Sequence, residues 1–317
     1  MNILITGASG FVGKATCKAF LKNKNFNLTS VSRKRSSFSK EIKQIIIKEI
    51  NKETNWEKII ENCDIVIHLA SIAHVSKYNN ARMKKQYSRI NYEGTINLFK
   101  AAINNKVKKF IFLSSIKVNG DYNINCKSFK YDDLPNPTNI YSKLKLKTEI
   151  ELIKLAQNKS IDVIILRPSL IYGKHVKGNL LSLYKWVYKG YPFLISKEDV
   201  NKSFLSIDNL LDVLLKCINT NNIKNEVLLV SDPVPITLKV LLEKISEYQN
   251  RKPKFISMNK RIIFFIFYSL GLKNIYSSLY LDSTVDIQRT IQLLNWKPQE
   301  NIDQSIKNSV DFFLNNK

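Results

Sequence analysis

Residues 1–13 read Met1-Asn2-Ile3-Leu4-Ile5-Thr6-Gly7-Ala8-Ser9-Gly10-Phe11-Val12-Gly13. A short apolar run closes on Thr6, and three glycines follow at 7, 10 and 13. Beyond them, Lys14 to Leu21 places Ala15 and Ala19 at helical spacing among good helix formers. The order is a buried strand, a glycine turn and a helix. Such a turn aims free backbone N–H groups and the positive end of a helix dipole at one spot. That arrangement suits a pyrophosphate, and glycine lets the phosphates reach the backbone. The Gly-x-x-Gly-x-x-Gly spacing is one residue wider at its first step than the common dinucleotide fingerprint. Alone, it is equally the mark of a tight structural turn.

Working outward, the same alternation continues and predicts an α/β fold with a doubly wound parallel sheet. Phe26 to Val31 reads as a second strand, Gln44 to Glu49 as a third, and Trp56 to Cys63 as a helix. Asp64 to Ala70 is a fully buried parallel strand, Asn91 starts a helix, and Phe110 to Ser115 is strand five with hydroxyls at its carboxyl end. Asp121 to Thr138 is a loop, Tyr141 opens a long helix through Leu155, and Asp162 to Pro168 is strand six. After Gly173 the composition becomes more aromatic and less regular. We expect a dinucleotide-binding unit over 1–170, later strands interleaved near 203–231, and a smaller substrate unit over 171–317.

The cations narrow the cofactor and leave the partner open. At the end of strand two stands Ser32-Arg33-Lys34-Arg35, where NAD-binding units carry an acid for the adenosine ribose and NADP-binding ones an arginine for the 2′-phosphate. No carboxylate is available and Arg33 is, so NADP(H) is favoured over NAD(H). Lys and Arg number 50 against 26 Asp and Glu, a net charge of +24. One reading is an anionic partner, nucleic acid or membrane. The other is a coding bias, since lysine and asparagine are spread through every segment without a dense basic tract. We expect no specific nucleic-acid partner.

Cys17, Cys63, Cys126 and Cys217 are far apart with no metal-ligand spacing, which fits reduced thiols in a cytoplasmic protein. The N-terminus enters a strand directly, so no signal sequence is expected. The apolar run Ile262 to Tyr268 continues only to Leu272, short of the roughly 20 residues a bilayer span needs. A buried C-terminal helix is the expectation, with peripheral membrane contact helped by Lys260 and Arg261 as the alternative. His68 reads as a hydrogen-bonded structural histidine, and His74 and His175 are too isolated for a triad or a metal.

Tyr141 and Lys145 are four apart on one helix face. A tyrosine with pKa about 10 is hardly ionised at neutral pH, and a neighbouring ammonium favours the phenolate that a general base needs. Ser115, 26 residues before Tyr141, sits at a strand end suited to holding a reacting oxygen. Together with Thr6 to Gly13 and Ser114-Ser115, this pair resembles the extended short-chain dehydrogenase/reductases, also called the NAD-dependent epimerase/dehydratase family. The resemblance runs over nearly the whole chain.

The resemblance implies a Rossmann-like fold, a homodimer and an NAD(P)-dependent enzyme acting on a UDP-sugar. It implies catalysis by Ser115, Tyr141 and Lys145. It implies a cofactor held by Gly7, Gly10, Phe11, Val12, Gly13, Ser32, Arg33, Glu49, Ile50, Leu69, Ala70, Asn91, Ser114 and Pro168, with Tyr141 and Lys145. For the sugar nucleotide it points to Ser115, Tyr141, Lys117, Lys177, Asn179 and Lys202. Family dehydratases carry an Asp-Glu pair after the serine or threonine; Ile116-Lys117 replaces it here, which disfavours dehydration. Ser114 to Gly120, Val176 to Leu181 and Ser231-Asp232 are similar to surface-polysaccharide enzymes that reduce C4 of a UDP-4-keto-6-deoxy-N-acetylhexosamine to UDP-N-acetylquinovosamine. A UDP-glucose or UDP-N-acetylglucosamine 4-epimerase with bound NAD is the alternative, and a non-enzymatic dinucleotide-sensing or nucleic-acid-binding protein a remote one. Epimerases usually offer an arginine before the return strand for the diphosphate, where this chain has Asn201-Lys202.

Overall fold

Strand β1 (Asn2–Thr6) sends Ile3 and Ile5 to one face of a sheet and Leu4 to the other. The same period of two runs through β4 (Ile65–His68), β5 (Lys109–Leu113) and β6 (Asp162–Pro168), whose apolar residues are buried on both faces. With β2 (Asn27–Ser32), β3 (Lys43–Ile46) and β11 (Glu226–Val230), they make a seven-stranded sheet in the order β11-β6-β5-β4-β1-β2-β3. Every pairing in it is parallel. The computed structural model describes residues 1–38, 40–72, 81–125, 127–221, 223–299 and 301–317, so His74 and Cys126 lie outside the described residues.

Helices α1 (Phe11–Phe20) and α6 (Ile207–Asn219) cover the face carrying Ile3 and Ile5. Helices α3 (Thr95–Asn104) and α4 (Ile140–Ala156) cover the other, over Phe110 and Phe112. Because β2 and β4 flank β1 on opposite sides, the chain reverses its winding there. In open α/β sheets, the crevice at the carboxyl ends of such strands is where ligands bind.

The C-terminal half packs a third core over the same ends of the strands. It uses α5 (Asn179–Tyr188), α7 (Leu238–Tyr248), α8 (Lys260–Ser269), α9 (Lys273–Tyr280) and α11 (Ile302–Asn315). Short pairs join β7 (Leu170–Tyr172) to β10 (Phe204–Ser206), β8 (Phe193–Ser196) to β13 (Phe255–Met258), and β9 (Asn201–Lys202) to β12 (Ile236–Thr237). Helix α10 (Gln288–Leu294) leads to Trp296, which is fully buried and donates its indole N–H to Asp212 of α6 at 2.8 Å.

Three expectations need correction. Trp56 to Cys63 is a set of turns, not a helix: Asn62 adopts φ 58°, which ends the segment just before β4, and Trp56, Ile60 and Cys63 anchor it in the core. Asn91 does not start a helix. It lies inside a π-helical turn, Ser88–Gly94, between α2 (Ala81–Tyr87) and α3. The extra residue of that turn aims Asn91 at the chain beyond β4, where it bonds both the N–H and the C=O of Ile72, at 2.8 and 3.0 Å. Finally, the apolar helix α8 is not buried: Ile263 alone is, while Ile262, Phe265 and Tyr268 face outward.

Candidate active site

The turn after β1 is built as tightly as its glycines imply. Gly7 has φ +68°, and a Cβ there would come within 2.7 Å of the Ala70 nitrogen. A Cβ on Gly13 would meet the Gly7 carbonyl oxygen at 2.2 Å. Helix α1 thus starts against the loop after β4, with no side chain capping it and no acid in its first turn. Its leading amides have no helical acceptor and no competing anion, so the residues present fit a dinucleotide's pyrophosphate.

Beneath this loop, His68 is fully buried between two hydroxyls, Thr6 at 2.7 Å and Thr95 at 2.8 Å. The Thr95 hydroxyl donates to the Asn91 carbonyl, so it accepts from His68 Nε2–H, and Nδ1 accepts from Thr6. Burial, and then the Lys145 charge, push this imidazole down to about 3. His68 is therefore a neutral structural group, tying β1, β4 and α3 together.

Helix α4 opens on a capping box in which the Asn139 side chain accepts from the Ser142 N–H and Ser142 reaches back. That cap fixes Tyr141 in the first turn and Lys145 one turn on. Lys145 is buried, donates to the Leu113 carbonyl at 2.7 Å, and lies 4.3 Å from the Phe112 ring centre and 5.9 Å from that of Tyr141. Burial lowers its pKa to about 7 against the opposing pull of Glu149. Burial raises Tyr141 to about 12, and the facing hydroxyls of Ser115 and Ser71 work the other way. Ser115 caps the short 3-10 turn Ile116–Val118 at the end of β5 and accepts from the Lys117 N–H at 3.3 Å. The fold thus brings Ser115, Tyr141 and Lys145 together at the carboxyl end of the sheet.

The other expected residues divide. Ser114 faces inward, its hydroxyl on Glu149 and its N–H on the Leu166 carbonyl at 2.7 Å. Ser32 donates to the Lys34 carbonyl at 2.6 Å, and Arg33 is exposed at the same strand end. Glu49 is paired with Arg89, and Ile50 is buried against Gly94, whose Cβ would lie 2.7 Å from the Ile50 carbonyl. Leu69 and Ala70 border the glycine turn, and Pro168 is buried at the end of β6. Lys177 and Asn179 are exposed where α5 begins, in a loop whose His175 feels Lys14 and Lys18 of α1.

Lys117 pairs with Asp121 at 2.9 Å. Lys202 is buried, donates to the Leu281 carbonyl at 2.5 Å, and falls to about 8 through burial and then the Lys117 charge. Two lysines thus share one corner beside Ser115. A depression of about 790 Å³ lined by Asn2, Lys22, Asn27 and Glu61 lies at the opposite ends of the strands and carries none of this chemistry.

Sequence reasoning passed over one buried pair. Glu149, one turn beyond Lys145, receives Arg167 of β6 through Nε at 3.2 and 3.1 Å and Nη2 at 2.5 Å. The other arm of Arg167 holds Asn119 at 3.0 Å. The available signal was the Lys145–Glu149 spacing on a face already assigned inward.

Residues 3–230 match the NAD dependent epimerase/dehydratase family. The chain belongs to that family. A UDP-glucose 4-epimerase from Vibrio cholerae is 33% identical over 316 residues, covering 99% of this chain and 95% of that protein. An N-acetyl-α-D-glucosaminyl-diphospho-ditrans,octacis-undecaprenol 4-epimerase from Escherichia coli O157:H7 is 26% identical over 254 residues, or 79% of this chain and 73% of that one. Among solved structures, a UDP-glucuronic acid 4-epimerase from Bacillus cereus, in complex with UDP-glucuronic acid and NAD, superimposes with TM-score 0.81 at 21% identity over all of both chains. This NAD dependent epimerase/dehydratase family member is accordingly an enzyme of the short-chain dehydrogenase/reductase type, with a Rossmann-like sheet.

Proposed function

We propose that the chain is a UDP-sugar 4-epimerase acting on a UDP-hexose or UDP-N-acetylhexosamine. The observation that carries this is the joining of half-buried Ser115 and Tyr141 with buried Lys145 in one corner, with Ile116-Lys117 where a dehydratase needs two carboxyls. The relative that spans nearly the whole chain, a UDP-glucose 4-epimerase, supports it. The α1 turn would hold the pyrophosphate of a nicotinamide dinucleotide, which when bound supplies the hydride chemistry at C4. Ser115 holds the C4 oxygen, and Tyr141 takes up and returns its proton. Lys145 supplies the positive charge that favours the phenolate. In the free chain burial opposes both charges, so ligand binding has to supply the partners that bring Tyr141 and Lys145 to working pKa values. Lys117 and Lys202 would meet the UDP diphosphate as point charges.

A second reading, reduction of a UDP-4-keto-6-deoxy-N-acetylhexosamine by NADPH, is favoured by Arg33. This residue stands exposed at the end of β2 with no carboxylate beside it in Ser32-Arg33-Lys34-Arg35. A charged hydrogen bond to a 2′-phosphate is worth about 1.5–3 kcal/mol, or roughly ten- to a hundredfold in cofactor preference.

The test is NMR of UDP-GlcNAc and UDP-glucose incubated with the protein as purified and with added NAD, beside UDP-4-keto-6-deoxy-GlcNAc with NADPH or NADH. Interconversion at C4 without net cofactor consumption supports the epimerase. Stoichiometric NADPH oxidation with the keto sugar alone would replace it by the reductase. Tyr141→Phe should lower turnover at least about a hundredfold while sugar-nucleotide binding survives. Near-normal turnover in that variant would overturn the catalytic assignment.

A further inference from the structure

Helices α8 and α9 form a two-helix hairpin joined at Gly271, its inner side closed and its outer side bare among the described residues. Inward, Ile263 is buried, the Phe264 and Phe267 rings meet Tyr276 at 5.2 and 6.4 Å, and Phe267 meets Tyr280 at 5.5 Å. Outward, Ile262, Phe265 and Tyr268 follow one another at helical spacing, and Leu270, Leu272 and Ile275 continue the patch around the turn at Gly271. Phe265 is 68% exposed and Leu270 65%. Side chains of this size in a contiguous outward patch mark an interaction surface.

The charge around the patch says what covers it. From Tyr248 through Leu281 the sequence has no Asp or Glu, yet holds Lys260 and Arg261 on α8 and Lys273 on α9, with Lys252 and Lys254 before β13 and Arg251 lying over the Tyr188 ring of α5 at 5.3 Å. All but Lys260 are exposed; Lys260 is partly covered, 3.8 Å from the exposed Glu198 of a neighbouring loop. A second copy of this face, set against the first by a two-fold axis, would bring cation against cation. A nucleic acid would leave the aromatic and aliphatic patch without a partner. An apolar stripe rimmed by lysine and arginine matches a bilayer surface, apolar groups entering between headgroups and cations meeting anionic lipid. Among the described residues no helix is long and apolar enough to cross a membrane, so the contact is one of lying on the surface.

We propose that the α8–α9 hairpin docks the protein onto an anionic lipid bilayer. The position of the hairpin makes this relevant to the site. Lys260, which opens α8, contributes to the field on Lys202, and Leu281, just past α9, accepts the Lys202 hydrogen bond. Docking therefore sets the lysine corner of the cleft next to the membrane plane.

Full-length protein should be sedimented with phosphatidylcholine vesicles and with vesicles in which phosphatidylglycerol replaces part of that lipid. Association is expected with the anionic vesicles, weaker at high salt and absent with phosphatidylcholine alone. The double substitution Phe265→Ser with Leu270→Ser should weaken it about tenfold or more, since each removes a side chain of the size that carries interfacial burial. Arg261→Gln with Lys273→Gln should lower the salt-sensitive part. These residues do not touch the cleft, so circular dichroism and turnover in solution should match the parent, and the vesicle result stands whichever sugar chemistry is found. No binding to anionic vesicles, or binding untouched by both double variants, would overturn the proposal. So would a dimer that the Phe265 and Leu270 variant dissociates, which would assign the patch to a second copy.

Discussion

Lys145 is held where its charge is poorly solvated, between the Leu113 carbonyl and the Phe112 ring, and its pKa falls from 10.5 to about 7. With the folded value below the unfolded one, the unfolded chain binds the proton more strongly. Folding stability therefore rises as pH climbs through the window from about 7 to about 10.5. Lys145→Met removes this dependence. Urea midpoints of parent and variant, compared at several pH values in that window, should show a parent gain that the variant lacks; parallel curves would mean that Lys145 titrates normally. Arg167 and Glu149 make the opposite case, a buried pair in which each charge needs the other. Arg167→Met leaves Glu149 alone in the interior and should cost about 3–5 kcal/mol in urea unfolding. Adding Glu149→Leu should return most of that loss, because an apolar pair needs no counter-charge. Glu149 also accepts from the Ser114 hydroxyl, so the end of β5 that carries Ser115 is tied to this pair.

Among elements, α1 is the most sharply constrained. Its approach to β1 and the Ala70 loop is set by backbone atoms, which cannot step aside for a methyl group. Gly13→Ala should thus abolish measurable dinucleotide binding by calorimetry, whereas Gly10, whose Cβ would sit 3.1 Å from the Gly7 oxygen, should tolerate alanine better. Equal affinities for the two variants would contradict the tight-turn account. Helix α6 is finished by a residue from another strand. Lys109 of β5 donates to the carbonyls of Cys217, Ile218 and Thr220 at 2.7, 3.0 and 2.9 Å, at the helix end where the dipole is negative. Lys109→Met should destabilise the protein by about 1–2 kcal/mol in urea, despite replacing a buried charge with an apolar group of similar length.

At the scale of the molecule, the sheet is not complete until late in the chain. Strand β11, residues 226–230, closes the edge beside β6, and α6, α10 and Trp296 pack on that side of the core. Lys109 and Asp212 add hydrogen bonds between segments more than eighty residues apart in sequence. A fragment of residues 1–170 would expose the β6 edge and the apolar face beneath α6 to water. It should give no cooperative thermal transition, while the full chain gives one. A sharp transition in the fragment would show instead that the first six strands form an autonomous unit.

Much of this was decided locally. Runs such as Ile3-Leu4-Ile5 and Val163-Ile164-Ile165-Leu166 are apolar on both strand faces, so they belong inside a parallel sheet wherever they fall. Three glycines at fixed spacing announce a tight turn, closed by backbone at Gly7 and Gly13, and the step of four from Tyr141 to Lys145 puts both on one side of any helix. Only the tertiary structure decided the rest, because burial and charge pairing depend on neighbours remote in the chain. The stretch from Trp56 to Cys63 has helical composition, but the chain must enter β4 at once. The π-helical turn at Asn91 goes with an amide that bonds Ile72 in the chain beyond β4, nineteen residues away. The spacing from Lys145 turns Glu149 inward, but nothing local names its counter-charge, which is Arg167 from β6. Helix α8 is apolar enough to be core, yet α9 and its tyrosines cover one side of it and, among the described residues, no other element covers Ile262, Phe265 and Tyr268.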